Sequence, residues 1–435
     1  VILKLKVGAS IASLTPLMER YQATYLNTNH EMVILKIADI QNAIVLSNLI
    51  SESGFVEWAN PDFFAELVHP DSPSSEVNED DFFNDPLFPE QFQMHNTGQT
   101  IDGFVGMNDA DCNALEAWGI TTGSSDIIVA VIDDGVEAHE DLGSVLPGYT
   151  PARSGENGEP GNNPENNEHG QACAGIIAAS HNSIGVKGVA PNVNILPINI
   201  FTREETFSDI ANAFYWATDN GADVISNSWG YNNSCNASDP SIDAAIAYAV
   251  TNGRGGKGTV VLFSSGNGYQ SCVNYPAHNP NVIAVGAFGN TGAISSYSNQ
   301  GTALDIVGPS SNQTTTAYTG ARVRTIDRMG AAGYSAGNYT TGFGGTSASC
   351  PLVSGVAALV LSVNPDLTDA EVKNVLYTTA TDMGTPGRDN TFGYGRVNAH
   401  AAVLAVMPEI NLQGNGNDIA GDGSNVPNFI DGTSF

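Results

Sequence analysis

The chain has 435 residues, 46 of them acidic and 15 basic, for a net charge of −31. So large a negative surplus speaks against nucleic acid and anionic membranes as partners. No apolar run reaches the ~20 residues of a bilayer span, and a hydrophobic share of 41% over this length suffices for one large core with small additional domains.

Residues 1–70 read as a small α+β segment. Residues 1–7 alternate as a strand, and Ile11, Leu14, Leu17 and Met18 recur at helical spacing over 11–21. A strand over 31–37, a helix over 40–50 and extended chain over 54–68 follow, with room for one more strand near 23–26. No signal peptide is present, and the first residue already sits in a strand, so the start is expected upstream of Val1. Residues 71–84 are rich in Pro, Ser and acid and read as an exposed linker.

Residues 128–136, IVAVIDDGV, form a short apolar run that ends in acid and glycine. This is the pattern of a buried strand that delivers a carboxylate, Asp133, at its C-terminal end. Residues 153–168, rich in Gly, Asn and Glu, read equally as a mobile surface loop and as an ion-binding one. In 168–179, EHGQACAGIIAA, His169 opens a helix of small residues. Strands at 193–198, 224–228, 260–264 and 282–287 then alternate with helices from 208 and over 241–252, the rhythm of an α/β parallel sheet.

Residues 343–360, FGGTSASCPLVSGVAALV, set Ser347 at the start of an apolar helix behind a glycine pair. The first backbone N–H groups of a helix have no partner within it and stand at its positive pole. Ser347 thus offers a nucleophilic oxygen and, from its own amide, a donor to a developing oxyanion. On this stretch alone, an N-capping serine on a core helix is an equal reading. The other two stretches decide it, because a nucleophilic serine needs a base and the base needs a carboxylate to orient it. Five cysteines is an odd number, so at least one thiol is unpaired within the chain. Cys112, Cys173 and Cys350 read as buried small apolar residues.

These segments resemble the subtilisin-like serine proteases, whose catalytic residues occur in the chain order Asp, His, Ser. The resemblance rests on VIDDG, EHGQACAG, SNSWG, SSGNG, YPAHNPNVIAVGA and GTSASCP, between about residues 85 and 405. The Asp-Asp-Gly form, GRGGKG and Cys173 lean toward the kexin-like branch. YPAHNPNVIAVGA is similar to the bacterial subtilisins. The resemblance implies an α/β fold, a mostly parallel sheet flanked by helices over 85–406, preceded by a small ferredoxin-like α+β prosegment over 1–70. Such a prosegment assists folding and then inhibits, and its removal would cut the chain within 71–84. Residues 407–435, rich in Gly, Asn and Asp, read as a tail or as the start of a β-rich domain.

The resemblance also implies roles for single residues. Asp133, His169 and Ser347 would form the catalytic triad, and the Asn267 side chain the second oxyanion donor; turn chemistry is the alternative for Asn267. Ser228, Trp229 and Gly230 would bind substrate backbone opposite Ser264, Ser265 and Gly266. A structural calcium ion would take Asp85, Asp141, the Asn182 side chain and the carbonyls of Ser180, Ile184 and Val186, where an ion-free turn is the alternative. A weaker cation site would use the carbonyls of Ala277, Asn279 and Val282. Cys235 and Cys272 fall in loops that lie close together in the family, and their pairing stays open. Asn233 and Tyr275 stand where kexin-like enzymes carry acids, so dibasic specificity is not expected and an apolar or aromatic preference is. The implied protein is a secreted, monomeric, self-processing serine endopeptidase, with peptides as substrates and its own prosegment as inhibitor, and its acidic surface suits calcium or salt. A narrow kexin-like processing protease, a serine-carboxyl peptidase with glutamate at the place of His169, and a catalytically silent binding protein are the alternatives.

Overall fold

The computed structural model describes the chain apart from residues 30–31, 38–39, 61–83, 154, 162–166, 203–204, 233, 314–316, 318, 408–412, 415–416 and 419–435. Asn233, nearly all of the 71–84 linker, most of 407–435 and part of the 153–168 loop therefore lie outside the described residues. The chain divides into two compact units, Val1–Glu76 with Pro408–Phe435, and Val77–Met407.

In the first unit, strands β1 (Ile2–Leu5), β2 (Thr24–Asn29), β3 (Met32–Lys36) and β4 (Val56–Asn60) form an antiparallel sheet in the order β2-β3-β1-β4. Helices α1 (Thr15–Arg20) and α2 (Ile40–Glu52) make the connections. Leu3, Val33, Leu35 and Val56 from the sheet bury against Leu14, Leu46 and Ile50. The strand over Thr24–Asn29 stands where the sequence left an optional one.

The second unit is built on seven strands: β5 (Ile128–Asp133), β6 (Ser144–Val145), β7 (Asn194–Asn199), β8 (Val224–Asn227), β9 (Val260–Ser264), β10 (Ile283–Phe288) and β11 (Ile306–Pro309). Every pairing is parallel, in the order β11-β10-β9-β8-β5-β7-β6. Parallel strands are covered on both faces, which is why these segments read as unbroken apolar runs. Side chains alternate along them all the same. Val129, Val131, Val224, Leu262 and Val285 face one cluster, and Ala130, Ile132, Ile225, Phe263 and Ala284 face the other.

Helices α4 (His169–Ala178) and α7 (Thr346–Val363) fill the first cluster, with α5 (Phe207–Asp219) and α6 (Pro240–Gly256) in the second, and α3 (Ala114–Trp118) precedes β5. Thr206 and Asp209 close a capping box that starts α5, as Thr368 and Glu371 do for α8 (Asp369–Thr378). A hairpin of β12 (Val323–Ile326) and β13 (Tyr339–Phe343) leads into α7, and α9 (Ala399–Leu404) closes the unit. By length and composition α7 would pass for a membrane span, but 89% of it is buried inside the protein.

The order of the sheet matters for function. From β5 the chain moves to β6 and β7 on one side, then crosses to β8 on the other. Ligand crevices in such sheets open at this reversal, beyond the C-terminal ends of the strands. Asp133 ends β5, and Ser228–Gly230 follow β8.

Candidate active site

Asp133 is delivered by an apolar strand and is 2% exposed. Both of its oxygens lie at hydrogen-bond distance from His169 Nδ1, at 2.9 and 3.1 Å, and Oδ1 also accepts the Asp134 N–H at 2.9 Å. His169 is the first residue of α4. The helix start is fixed by Asp134, whose carboxylate accepts the backbone N–H groups of His169 (3.1 Å) and Gly170 (2.6 Å). Burial first, and then the charge of Asp133, push the Asp134 carboxyl up to about 7. Burial works against the His169 cation, but the Asp133 carboxylate and the Cys173 sulfur together outweigh it, so the imidazole is held well above its ordinary pKa. Phe343 meets the His169 ring edge-on, with centroids 5.3 Å apart.

Ser347 is the second residue of α7, capped by Gly345 at φ +75°. A side chain at Gly345 would be strained at that φ and would place Cβ 3.0 Å from Asn267 Nδ2. Pro351 has no N–H to return to the Ser347 carbonyl four residues earlier. That carbonyl instead accepts from Ser228 Oγ (3.1 Å) and Cys173 Sγ (3.5 Å). Ser347 Oγ itself donates to the Ser228 carbonyl at 3.3 Å. Cys173 Sγ also lies 3.9 Å from Asp133 Oδ2 and from His169 Nδ1, so a buried thiol underlies all three groups.

Asn267 follows β9. Its Oδ1 accepts both the backbone N–H (2.8 Å) and the hydroxyl (2.9 Å) of Thr346. With the oxygen so engaged, the amide nitrogen is the end left for a ligand. Asp133, His169, Asn267 and Ser347 all line one cleft of about 440 Å³, together with Ser228, Trp229, Gly230, Ser264 and Gly266. Ser265 differs from its neighbours: it is fully buried and its hydroxyl donates to the Asn299 carbonyl at 3.3 Å. Tyr275 is also turned away, with its phenol bonded to the Asp239 carbonyl and the Asp243 carboxylate.

Sequence reasoning passed over Asp134, Glu168, Phe201, Asn274, Tyr334 and Thr346, which line the same cleft. Asp134 was legible in the Asp-Asp-Gly form. Tyr334 was not, since it comes from the β12–β13 hairpin, where Asp327 accepts the N–H groups of Tyr334 and Ser335, both at 2.9 Å. An adjoining groove of about 450 Å³ shares Phe201, Trp229 and Gly230 and adds Ile200, Phe207, Ile210 and Tyr231. A disulfide joins Cys235 to Cys272, and Cys112, Cys173 and Cys350 are free and buried.

The expected calcium ligands Asp85, Asp141 and Asn182 converge. Asp85 and Asp141 are both fully buried. Asp141 accepts Asn182 Nδ2 (2.7 Å) and the Val186 N–H (2.9 Å), and both Asp85 oxygens lie 3.3 Å from the Asn182 N–H. Asn182 Oδ1 accepts the Ile184 N–H (2.7 Å), and the Ser180 N–H donates to the Asp141 carbonyl (2.9 Å), so the loop wraps the two acids. Two buried carboxylates suit a hard cation such as calcium, while the Asn182 amide turns its nitrogen to Asp141 and its oxygen to the Ile184 N–H. Burial raises the Asp141 carboxyl to about 7. Asp85, in contrast, already pairs with the ammonium of Lys187. At the second expected cation locus the Asn279 carbonyl accepts the Val282 N–H at 3.2 Å and the Asn279 amide donates to Asp243 at 2.7 Å, closing a turn.

The sheet order, the buried helix α7 and the cleft define an α/β protein of the subtilisin-like class. The family model described as Subtilase family matches residues 124–395. A protein named calcium-dependent protease from Trichormus variabilis is 37% identical over 380 residues, 79% of this chain and 54% of its own length. Subtilisin BL from Lederbergia lenta is 34% identical over 304 residues, 68% of this chain and 97% of that protein. Among solved structures, a protease of Pseudoalteromonas arctica superposes with a TM-score of 0.60 at 28% identity, over 74% of this chain and 99% of that one. The chain belongs to the subtilase family. It spans about half the length of the calcium-dependent protease it matches.

Proposed function

We propose that the chain is a serine endopeptidase that cuts peptide bonds through an acyl-enzyme. The observation that carries this reading is the single cleft lined by Asp133, His169, Asn267 and Ser347. His169 Nδ1 is committed to Asp133, which leaves Nε2 for the Ser347 hydroxyl once that turns from the Ser228 carbonyl. Hydrogen bonds of this kind are often loose in a free enzyme and tighten with substrate.

His169 takes the hydroxyl proton as Ser347 Oγ bonds to the peptide carbonyl carbon, and Asp133 stabilises the imidazolium. The carbonyl oxygen, now an anion, accepts from the Ser347 N–H and Asn267 Nδ2. The C–N bond breaks as His169 passes the proton to the leaving amine. Water, deprotonated by His169, then attacks the acyl-enzyme and restores Ser347. Ser228–Gly230, and Ser264 with Gly266, offer main chain on which a substrate can lie as an added strand. The adjoining groove of Ile200, Phe207 and Ile210 supports an apolar preference on the acyl side of the cut.

We further infer that residues 1–70 serve as a self-removed prosegment and that the mature enzyme is secreted and monomeric. A calcium ion held by Asp85, Asp141 and Asn182, with the carbonyls of Ser180, Ile184 and Val186, would neutralise the buried acids and stiffen their loop.

The test is to express the chain and Ser347→Ala side by side with calcium and follow intact mass. Only the parent is expected to shed a fragment ending between about residues 68 and 85. Full activity in His169→Ala beside a dead Ser347→Ala would refute the triad.

A further inference from the structure

Lys187 lies where a solvated lysine would be expected, in the polar stretch HNSIGVKG, yet its side chain is fully buried. Lysine is almost never buried in this way unless it is paired. Its ammonium pairs with Asp85, donates to Asn84 Oδ1 at 3.2 Å, and stands 5.8 Å from the centroid of the Phe88 ring. The backbone on either side is clamped. Gln91 accepts the Lys187 N–H at 2.7 Å and donates to the Lys187 carbonyl at 2.8 Å, and the Leu87 N–H donates to the Gly185 carbonyl at 2.8 Å. The side chain thus enters the loop interior from a fixed point.

Two buried carboxylates would neutralise one divalent ion. With an ammonium already on Asp85, the same ion leaves the cluster with one positive charge in surplus, inside the protein where charges are poorly screened. We propose that Lys187 is an internal cation that competes with calcium for Asp85: it ties the 180–187 loop to Asp85 without metal and weakens calcium binding there. This rests on the calcium reading of the loop given above.

The experiment uses the full chain in a Ser347→Ala background, so that autolysis does not interfere. Thermal unfolding is followed in EDTA and across a calcium titration for the parent, Lys187→Met, Asp141→Asn and the double variant Asp85→Asn/Lys187→Met. Methionine keeps the length of the side chain without its charge. Lys187→Met is expected to melt at least about 5 °C below the parent in EDTA. Its calcium midpoint is expected to fall at least about tenfold. Unchanged melting in EDTA, or a calcium midpoint that stays or rises, overturns the proposal.

If Lys187→Met folds only with calcium, the proposal is supported. If it does not fold at all, the double variant decides: folding of that variant supports the proposal, since the fault is then the unpaired Asp85. Failure of both means that packing and not charge holds the loop, and overturns it. Asp141→Asn separates the two claims. A parent calcium response that survives this substitution removes the calcium reading of the loop, while the EDTA comparison still judges the Lys187 pair.

Discussion

Replacing Thr346 by valine removes one hydroxyl, which stands behind the proposed oxyanion donor and also accepts the Gly266 N–H. Thr346 is fully buried. Its Oγ1 donates to Asn267 Oδ1 at 2.9 Å and accepts the Gly266 N–H at 3.3 Å, while its own N–H holds Asn267 Oδ1 at 2.8 Å. Valine keeps the shape and the backbone bond, so one of two anchors on Asn267 is lost. A neutral hydrogen bond has a net worth of about 1 kcal/mol, which corresponds to about a fivefold fall in kcat. Deleting the donor outright in Asn267→Ala should cost about 10²–10³ in kcat. Neither change should move KM, because the oxyanion exists only in the transition state. The assay is steady-state hydrolysis of a peptide amide by the four enzymes of the double-mutant cycle. In the Asn267→Ala background, Thr346→Val should no longer lower kcat. A fivefold loss that persists there, or one that appears in KM, refutes the idea that Thr346 acts through Asn267.

Other consequences can be read in parallel. Since Asp133, with Cys173, raises the His169 pKa, and the base must be neutral to work, kcat/KM should fall as pH drops through a value above the ordinary ~6.5. Asp133→Asn should move that acid limb to lower pH and reduce kcat by about 10⁴; a limb that stays in place contradicts the assignment. Asp327→Ala frees the backbone N–H groups of Tyr334 and Ser335 and should expose the β12–β13 hairpin to proteolytic nicking, with a severalfold loss of kcat/KM on long peptides that fluorogenic assays can read. The Cys235–Cys272 bridge spans a separation of 37 residues. Its removal by paired serine substitutions should cost about 4 kcal/mol in denaturant unfolding at most. Asp102 is held well below the usual carboxylate range, first by its hydrogen bond to Arg324, so the stability it contributes is present above pH ~4 and lost as pH falls through the lowered value. Arg324→Met should therefore narrow the stability gap between pH 7 and pH 2 in thermal melts.

The parts of the site legible in the sequence were those that local pattern dictates. Asp133 ends an apolar run because a strand covered on both faces must be apolar until it leaves the sheet. His169 and Ser347 begin helices of small residues because those helices pack against the sheet and each other. The same logic placed β8, β9 and β10 to within a residue. Strands β11, β12 and β13 went unread, since GFGG and IVGP carry too little apolar periodicity to stand out from loop.

What escaped altogether were contacts between distant residues. Thr346 touches Asn267 across 79 positions, and Lys187 meets Asn84 across 103. Nothing near Lys187 in the chain says that its ammonium turns inward. Cys235 and Cys272 were candidates, but spacing alone does not set a pairing. The resemblance set Asn233 and Tyr275 where kexin-like enzymes carry acids, yet among the described residues the cleft is lined by Asn274 and by Tyr334 from a separate hairpin.

The role proposed for Ser347 is that of a nucleophile armed by His169 and Asp133. It is tested most directly by treating the calcium-loaded chain with a fluorophosphonate and mapping the adduct by peptide mass spectrometry. One adduct per chain is expected, on Ser347, forming at least about 10³-fold more slowly in His169→Ala. An adduct on another serine, or equal labelling with and without His169, would contradict it.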